Sequence, residues 1–155
     1  MFGHSFGGAA AGEACWIDSR LDACANLDGI FLGPMRLSGG RSMDKPFMTL
    51  LDEYYPLGNE PSPENFFERQ SGPAYQLTIA GITHSGFNDL GYVLRRRFGP
   101  LPRFDSQFGS LGSGRAIEII RAYNGAFFDK HLRGQTASLL DGPSAAFPEV
   151  AFRSK

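Results

Sequence analysis

Apolar positions recur along this chain in two patterns, one typical of buried strands and the other of helices. Three short segments are mostly or wholly apolar, as expected for strands buried on both faces of a parallel sheet. They cover residues 24–28, 46–51 and 75–80. Helical patterns lie before, between and after them. This alternation of strands and helices predicts an α/β architecture with a parallel sheet.

Four segments have the spacing or the end signals of helices. The predicted helices cover residues 6–19, 61–70, 88–98 and 115–132. The second contains Ser62-Pro63, a serine cap followed by proline at the first helical position. The third starts with Asn88 or Asp89 as its N-cap. Residues 33–45, residues 99–114 and the tail that contains Pro143 and Pro148 are predicted to be irregular.

The first helix is preceded by Gly3-His4-Ser5-Phe6-Gly7, a G-x-S-x-G pattern. In hydrolases this pattern places a serine on a strained turn between a strand and a helix. The helix is evident here, but only two residues precede the motif, so Met1-Phe2 are at most the end of the expected strand. The pattern by itself is weak support for catalysis, because the chain contains 20 glycines.

Two further residues strengthen a catalytic interpretation of Ser5. Asp28 ends one predicted strand, and His84 follows a later one. Serine, acid and histidine follow this order in α/β-hydrolases, and the carboxyl ends of parallel strands meet at one edge of the sheet. We therefore predict Ser5 as nucleophile, His84 as base and Asp28 as the acid that orients the base. The simpler alternative is a surface serine and an unrelated core histidine.

The other histidines and nearby acids fit structural roles better. His4 is expected to pack beside the serine turn. His131 lies at the end of a helix, where a cation suits the helix dipole. Asp89 is expected to be a helix cap, with a supporting role at the site as the alternative. Asp22 precedes its strand and lies at the wrong end of it.

Composition narrows the possible functions further. The chain is 42% apolar and 20% charged with a net charge of −1, which suits a globular domain and gives no electrostatic reason to expect nucleic acid as a partner. The basic run Arg95-Arg96-Arg97 is typical of a solvated helix end. No uncharged stretch approaches the length of a membrane span. Whether the protein is secreted or cytoplasmic stays open.

The two cysteines, Cys15 and Cys24, are too few for a disulfide scaffold or a zinc site. Two small buried thiols are the favoured interpretation. A bridge between them stays open as the alternative.

The whole chain carries a series of motifs that occur together in one family. In order they are GHSFGG, ANLDG, KPFMTLLDE, HSGFNDL, RAYNGAFFDKHLRG, LLDGPS and FPEV. With them the chain resembles bacterial α/β-hydrolases similar to platelet-activating factor acetylhydrolase, isoform II. The resemblance implies an α/β class and a partial α/β-hydrolase fold, the C-terminal half of the parallel sheet with its flanking helices and without the N-terminal strands. It also implies one partial domain, residues 1–155, that starts at the nucleophile elbow.

The same resemblance implies a serine carboxylic ester hydrolase that is calcium-independent and needs no cofactor or metal. Its expected substrates are short acyl chains on phospholipids or other small esters. The backbone N–H of Phe6 is the expected oxyanion donor, while the second donor is expected from a loop ahead of the nucleophile that this chain lacks.

We therefore expect a truncated or misassigned gene start. The strand that ends at Asp28 would then be an exposed hydrophobic edge and a site of association. Alternatives are an inert remnant, one half of a complementing pair, or an enzyme for lactones, polyesters or other simple esters.

Overall fold

Five strands form a sheet in the part of the chain that the computed structural model describes, residues 1–31, 42–55, 63–100 and 106–155. The strands are β1 (Phe2–His4), β2 (Cys24–Leu27), β3 (Phe47–Asp52), β4 (Ala74–Ile79) and β5 (Val150–Ser154). They lie side by side in chain order. β1 to β4 are parallel, and β5 is antiparallel to β4. The segments that leave β1 to β4 therefore meet at one edge of the sheet.

The helices of the described residues lie close to their predicted positions. They are α1 (Phe6–Ile17), α2 (Pro63–Arg69), α3 (Leu90–Phe98) and α4 (Ser113–Arg133). Short 3-10 turns cover His84–Phe87, Ser106–Phe108 and Ser138–Leu140. The Ser62 cap lies outside the described residues, and so does the predicted loop at residues 33–45 apart from residues 42–45.

The start of α3 shows which polar residue contacts the helix. Asp89 occupies the N-cap position without a side-chain capping hydrogen bond, whereas the Leu90 N–H donates to the Asn88 side chain at 2.9 Å. Of the two predicted caps, Asn88 is therefore the one that contributes a side-chain hydrogen bond.

The prediction that the strand ending at Asp28 is an exposed edge is wrong. β2 lies between β1 and β3, and all four of its residues are buried. The few residues before Ser5 are enough to pair with it, because the Ala25 N–H donates to the Met1 carbonyl at 2.9 Å and the Ser5 N–H to the Leu27 carbonyl at 2.9 Å. The edge strands of the described sheet are β1 and β5.

The prediction of a wholly irregular tail is also wrong. Residues 150–154 form β5, which pairs with β4 in a register that places Phe152 opposite Leu77. Val150 is buried and Phe152 packs on the core, while Arg153 is exposed. This short alternation is visible in the sequence, but its partner strand lies about 75 residues earlier in the chain.

Apolar side chains cover both faces of the sheet, which confirms the expectation of a parallel sheet flanked by helices. One face packs on α4 through Ala25, Leu27, Met48, Leu50, Leu77, Ala116, Ile119, Tyr123 and Phe127. The other face packs on α1 and α2 through Cys15, Cys24, Phe47, Leu51 and Phe66.

The interpretation of Cys15 and Cys24 as two free thiols is wrong. The two residues form a disulfide that links α1 to the first residue of β2, with their Cα atoms 6.2 Å apart. Both are fully buried. Two buried cysteines fit either interpretation from sequence, and only the packing of α1 on β2 brings their sulfur atoms together.

Candidate active site

Ser5 lies on the turn between β1 and α1, with φ 57° and ψ −126°. A residue other than glycine in this region costs roughly 1–3 kcal/mol, which the surrounding structure must offset. The Ser5 N–H donates to the Leu27 carbonyl, and the Ser5 carbonyl accepts from the N–H groups of Gly8 and Ala9 at 2.9 and 3.2 Å. Sheet and helix together hold the turn in this strained conformation.

Two glycines make room for this turn, and of these Gly3 belongs to the G-x-S-x-G pattern whereas Gly8 follows it. A Cβ at Gly3 would overlap the Gly7 carbonyl, and a Cβ at Gly8 would overlap the Asn26 side chain and approach the Gly3 carbonyl to 2.8 Å. Gly7, the last residue of the G-x-S-x-G pattern, has open space around it. The close packing of α1 on the sheet therefore depends on Gly3 and Gly8.

Asp28 follows β2 directly and has a left-handed backbone, φ 53°. The buried Asn26 side chain accepts from the Gly29 N–H at 2.8 Å and donates to the Gly29 carbonyl at 2.9 Å, which clamps the turn that contains Asp28. The Asp28 N–H donates to the Leu50 carbonyl at 2.7 Å, so the parallel ladder continues into this turn. The Asp28 carboxylate is thereby held at the C-terminal edge of the sheet.

Both oxygens of the Asp28 carboxylate have a partner. Oδ1 accepts from the Asp52 N–H at 2.9 Å, and Oδ2 lies 2.6 Å from Nδ1 of His84. The residue is only 4% exposed. A buried carboxylate with two hydrogen bonds is well suited to fix the orientation of an imidazole.

His84 begins the 3-10 turn that follows β4. Its Nε2 lies 2.9 Å from the Ser5 Oγ, so hydrogen bonds connect Ser5, His84 and Asp28 in series. The imidazole is about half exposed. The structure thus brings together the three residues that the sequence singled out, from elements 23 and 56 residues apart, at the edge where parallel strands end.

Phe6 directly follows Ser5 and begins α1. Its N–H belongs to the first turn of the helix, where N–H groups have no acceptor within the helix. Its side chain is exposed. The Phe6 N–H therefore lies beside Ser5 at the start of the helix.

Asp52 is a second buried carboxylate at this edge, and it was not among the candidate residues from the sequence. It ends β3, and its carboxylate accepts from the Tyr54 N–H at 2.9 Å. Burial, followed by the neighbouring negative charge of Asp28, raises the pKa of Asp52, while backbone contacts from Tyr54 and His84 oppose the rise. The available signal was the acid directly after the buried run 46–51, the same signal that pointed to Asp28.

His4 packs beside the serine turn, as predicted. Its Nε2 lies 2.9 Å from the carbonyl oxygen of His84, and the centroids of the two imidazole rings are 4.7 Å apart. Burial, followed by the proximity of the His84 charge, lowers the pKa of His4. The neutral ring is therefore favoured at this position.

The remaining candidates lie away from these residues. His131 contacts the Tyr75 hydroxyl near the opposite end of β4, at 3.1 Å, and burial lowers its pKa. The expected cationic role at the helix end is therefore weakened. Asp22 is exposed and precedes β2, so it lies at the far end of that strand.

The described residues contain neither a candidate metal site nor a candidate membrane span. No group of three or more His, Cys, Asp or Glu side chains in this part of the chain is arranged to hold a metal ion. No helix among the described residues has the length and apolar character needed to cross a membrane.

Comparison with known proteins places the chain in a family. Residues 1–140 match the family model described as platelet-activating factor acetylhydrolase, isoform II. The chain belongs to this family. The match covers every residue of the Ser5, Asp28 and His84 set, and the mostly parallel sheet with flanking helices is consistent with a partial α/β-hydrolase fold.

Two proteins that are similar to this chain are named as esterases. A curated protein of the fungus Arthroderma benhamiae, a probable 1-alkyl-2-acetylglycerophosphocholine esterase, is 31% identical over 98% of this chain. The solved structure of a ferulic acid esterase from Streptomyces cinnamoneus matches 97% of the chain at 35% identity, with a TM-score of 0.77. The chain spans 42% of the first relative and 45% of the second.

Proposed function

We propose that this chain carries the catalytic residues of a serine carboxylic ester hydrolase. The observation that carries the proposal is the continuous series of hydrogen bonds from Ser5 Oγ through the His84 imidazole to the Asp28 carboxylate, at 2.9 and 2.6 Å. Further support comes from the family and from two esterase relatives. We assign Ser5 as nucleophile, His84 as general base and then acid, and Asp28 as the group that orients His84.

In the first half of the proposed reaction, Ser5 Oγ attacks the ester carbonyl carbon while His84 Nε2 takes the hydroxyl proton. The carbonyl oxygen becomes an oxyanion, to which the Phe6 N–H donates. The bond to the alcohol oxygen then breaks, and His84 returns its proton to that oxygen. The products are a free alcohol and an acyl group esterified to Ser5.

In the second half, His84 deprotonates a water molecule that attacks the acyl carbon. The new oxyanion collapses, the bond to Ser5 Oγ breaks, and His84 gives the proton back to Ser5. The carboxylic acid leaves. The Asp28 carboxylate stabilises the imidazolium in both halves because it lies within 2.6 Å of Nδ1.

We expect residues 1–155 alone to turn over slowly. Among the described residues, the Phe6 N–H is the one oxyanion donor that we assign next to the nucleophile. Serine hydrolases use two such donors, and the loss of one slows the reaction by roughly 10²–10³-fold in well-studied enzymes. Reaction of Ser5 with a fluorophosphonate, which needs an activated serine but no turnover, is therefore the primary test.

The test compares Ser5→Ala, His84→Gln and Asp28→Asn with the unchanged chain. Fluorophosphonate should label Ser5, as located by peptide mass spectrometry, and Ser5→Ala should abolish the label. His84→Gln should slow labelling by at least ~10³-fold. Asp28→Asn should slow it by about 10³–10⁴-fold, because an asparagine amide favours the imidazole tautomer that cannot accept the serine proton.

Matched controls replace residues of the same types away from the site. Ser19→Ala, His131→Gln and Asp22→Asn should keep the labelling rate of the unchanged chain. Equal labelling of Ser5→Ala and the unchanged chain would reject the proposal. A folded chain that never reacts would instead favour the alternative of a non-catalytic piece.

The proposed substrate class rests on the two esterase relatives. We propose an ester with a small acyl group, and the acetyl ester of a glycerophosphocholine is the first candidate because the curated relative is a probable esterase of that type. A feruloyl ester is the second candidate, since the structural relative is a ferulic acid esterase. Initial rates of Ser5 acylation by p-nitrophenyl acetate, an alkyl-acetyl-glycerophosphocholine and methyl ferulate distinguish the two.

A further inference from the structure

The peptide of His84 lies outside the strands of the sheet. His84 begins a 3-10 turn of four residues, and the Gly86 N–H donates to the Thr83 carbonyl at 2.8 Å within that turn. A second contact joins the Thr83 hydroxyl to the Gln107 carbonyl. A short turn of this kind does not by itself fix the direction of its first side chain. Contacts from other elements must therefore hold His84 against Ser5.

His4 provides such a contact from the strand that leads into the nucleophile. Its Nε2 lies 2.9 Å from the His84 carbonyl oxygen. Because a carbonyl only accepts, Nε2 must carry the proton and donate it. The bond joins two residues 80 positions apart, and His4 is the residue directly before Ser5. It therefore connects the backbone of the proposed base to the elbow of the proposed nucleophile.

The His4 ring contacts two other rings. It lies against the His84 ring, with centroids 4.7 Å apart, and nearly parallel to the Phe87 ring, with centroids 6.0 Å apart and planes 17° apart. These contacts fix the direction in which Nε2 points. They also place His4 where a positive charge would repel the imidazolium that the proposed mechanism forms on His84.

We infer that His4 is a positioning residue, whose Nε2–H holds the His84 carbonyl and so sets the distance from His84 Nε2 to Ser5 Oγ. The inference rests on the proposed function. His4 itself exchanges no proton in the proposed reaction. Its effect on the reaction passes through His84, so it should alter the alignment of Ser5 and His84 more than the stability of the fold.

Two substitutions separate the hydrogen bond from the packing of the ring. Glutamine in His4→Gln places an amide N–H at about the reach of Nε2 but has no ring. Phenylalanine in His4→Phe keeps a ring against Phe87 but has no donor. We expect His4→Phe to slow fluorophosphonate labelling of Ser5 by about 10- to 100-fold, as a small misplacement of reacting groups does. His4→Gln should label within about threefold of the unchanged chain.

A second measurement does not depend on reactivity. The proton between His84 Nδ1 and Asp28 Oδ2 should give a strongly downfield ¹H NMR signal, because the two atoms are 2.6 Å apart. This signal should broaden or disappear in His4→Phe and persist in His4→Gln. Thermal unfolding measured on the same samples shows whether each variant is folded.

The outcomes distinguish this inference from the proposed function. If the unchanged chain does not label, the proposed function fails, and the NMR signal alone decides whether His4 positions His84. If His4→Phe does not fold, His4→Asn takes its place, because the shorter amide does not reach the His84 carbonyl. Equal labelling rates and equal NMR signals in the donor-free variant and the unchanged chain would overturn the inference.

Discussion

At the scale of single residues, the C-terminal edge of the sheet carries two buried carboxylates on neighbouring strands. Asp28 has a hydrogen bond on each oxygen, one of them to His84. Asp52 lies next to it and is only 7% exposed. Two negative charges this close repel each other. Of the two carboxylates, that of Asp28 contacts the His84 ring.

Removing the charge of Asp52 should stabilise the protein at neutral pH. The pKa of Asp52 is raised, by burial first and by Asp28 second, so the folded state favours the protonated acid. Its stabilising contribution is complete below the ordinary pKa of about 3.9 and is lost as the pH rises through the raised value. Asp52→Asn keeps an acceptor for the Tyr54 N–H and has no charge to lose.

Urea unfolding at several pH values checks this prediction. Asp52→Asn should exceed the unchanged chain in free energy of unfolding at pH 7, and the difference should shrink towards pH 4. Asp22→Asn, which changes an exposed residue ahead of β2, is the matched control and should unfold like the unchanged chain at pH 7. A lower stability of Asp52→Asn at pH 7 would mean that the ionised carboxylate is needed for the backbone contacts around it.

At the scale of elements, the packing of α1 on the sheet depends on Gly8 and leaves Gly7 free. Gly8→Ala should lower the free energy of unfolding by about 1–3 kcal/mol, because the new Cβ would overlap the Asn26 side chain. It should also slow labelling of Ser5, since Asn26 clamps the turn of Asp28. Gly7→Ala should keep or raise stability, by up to about 1 kcal/mol, because alanine favours a helix.

The two alanine variants control each other, since they are neighbours in the same helix. Chemical denaturation and the fluorophosphonate rate measure both effects. If both variants lost the same free energy of unfolding and the same labelling rate, a general effect of alanine on the helix or on the serine turn, rather than contact with Asn26, would explain the loss.

The disulfide between α1 and β2 should contribute measurably to stability. Its two cysteines are nine positions apart, and closing a loop of this size in the unfolded chain is worth about 2–3 kcal/mol in the chain-entropy treatment. Reduction should therefore lower the melting temperature by several degrees, at about 2–4 °C per kcal/mol for a chain of this length. Calorimetry with and without reductant measures the change.

The control for reduction is the double variant Cys15→Ala/Cys24→Ala. It should melt lower than the oxidised chain and show no further response to reductant. An unchanged melting temperature on full reduction, with free thiols verified by mass spectrometry, would contradict the prediction.

At the scale of the whole molecule, β1 has one side paired with β2 and is one of the two edge strands of the described sheet. Met1 and Phe2 lie on this edge, and both are exposed; Phe6 and Ile17 on α1 are exposed as well. An unpaired edge flanked by apolar side chains favours pairing with another chain. Residues 1–155 produced alone should therefore self-associate and unfold at low temperature or without a sharp transition. We also expect slow turnover of esters, for the reason given above for the oxyanion donors.

Light scattering after size exclusion, thermal unfolding and p-nitrophenyl acetate turnover test this prediction together. Phe2→Lys places a charge on the edge strand and should shift the chain towards monomer. Leu132→Lys, an exposed apolar position on α4, is the matched control and should leave the association unchanged. A monodisperse monomer with a cooperative melt and full turnover would contradict the prediction.

Much of this fold could be predicted from local patterns. The buried runs of β2, β3 and β4 and the helical spacing of α4 are each encoded within a few neighbouring residues, because burial of one face repeats every two or 3.6 positions. The observed helix ends differ from the predicted ones by up to about two residues, because neighbouring residues can each act as a cap. At α3, for example, Asn88 rather than Asp89 makes the side-chain contact. The order of Ser5, Asp28 and His84 predicted their meeting at one edge, and their catalytic roles stay predictions.

What only the tertiary structure decided concerns partners far apart in the chain. The pairing of β1 with β2, the position of β5 beside β4, the bond between Cys15 and Cys24, and the contact from His4 to the His84 carbonyl all depend on how separate elements pack. No local periodicity specifies them. Each of these residues has several acceptable partners by type, and only the summed geometry of strands, turns and helices brings one partner within reach.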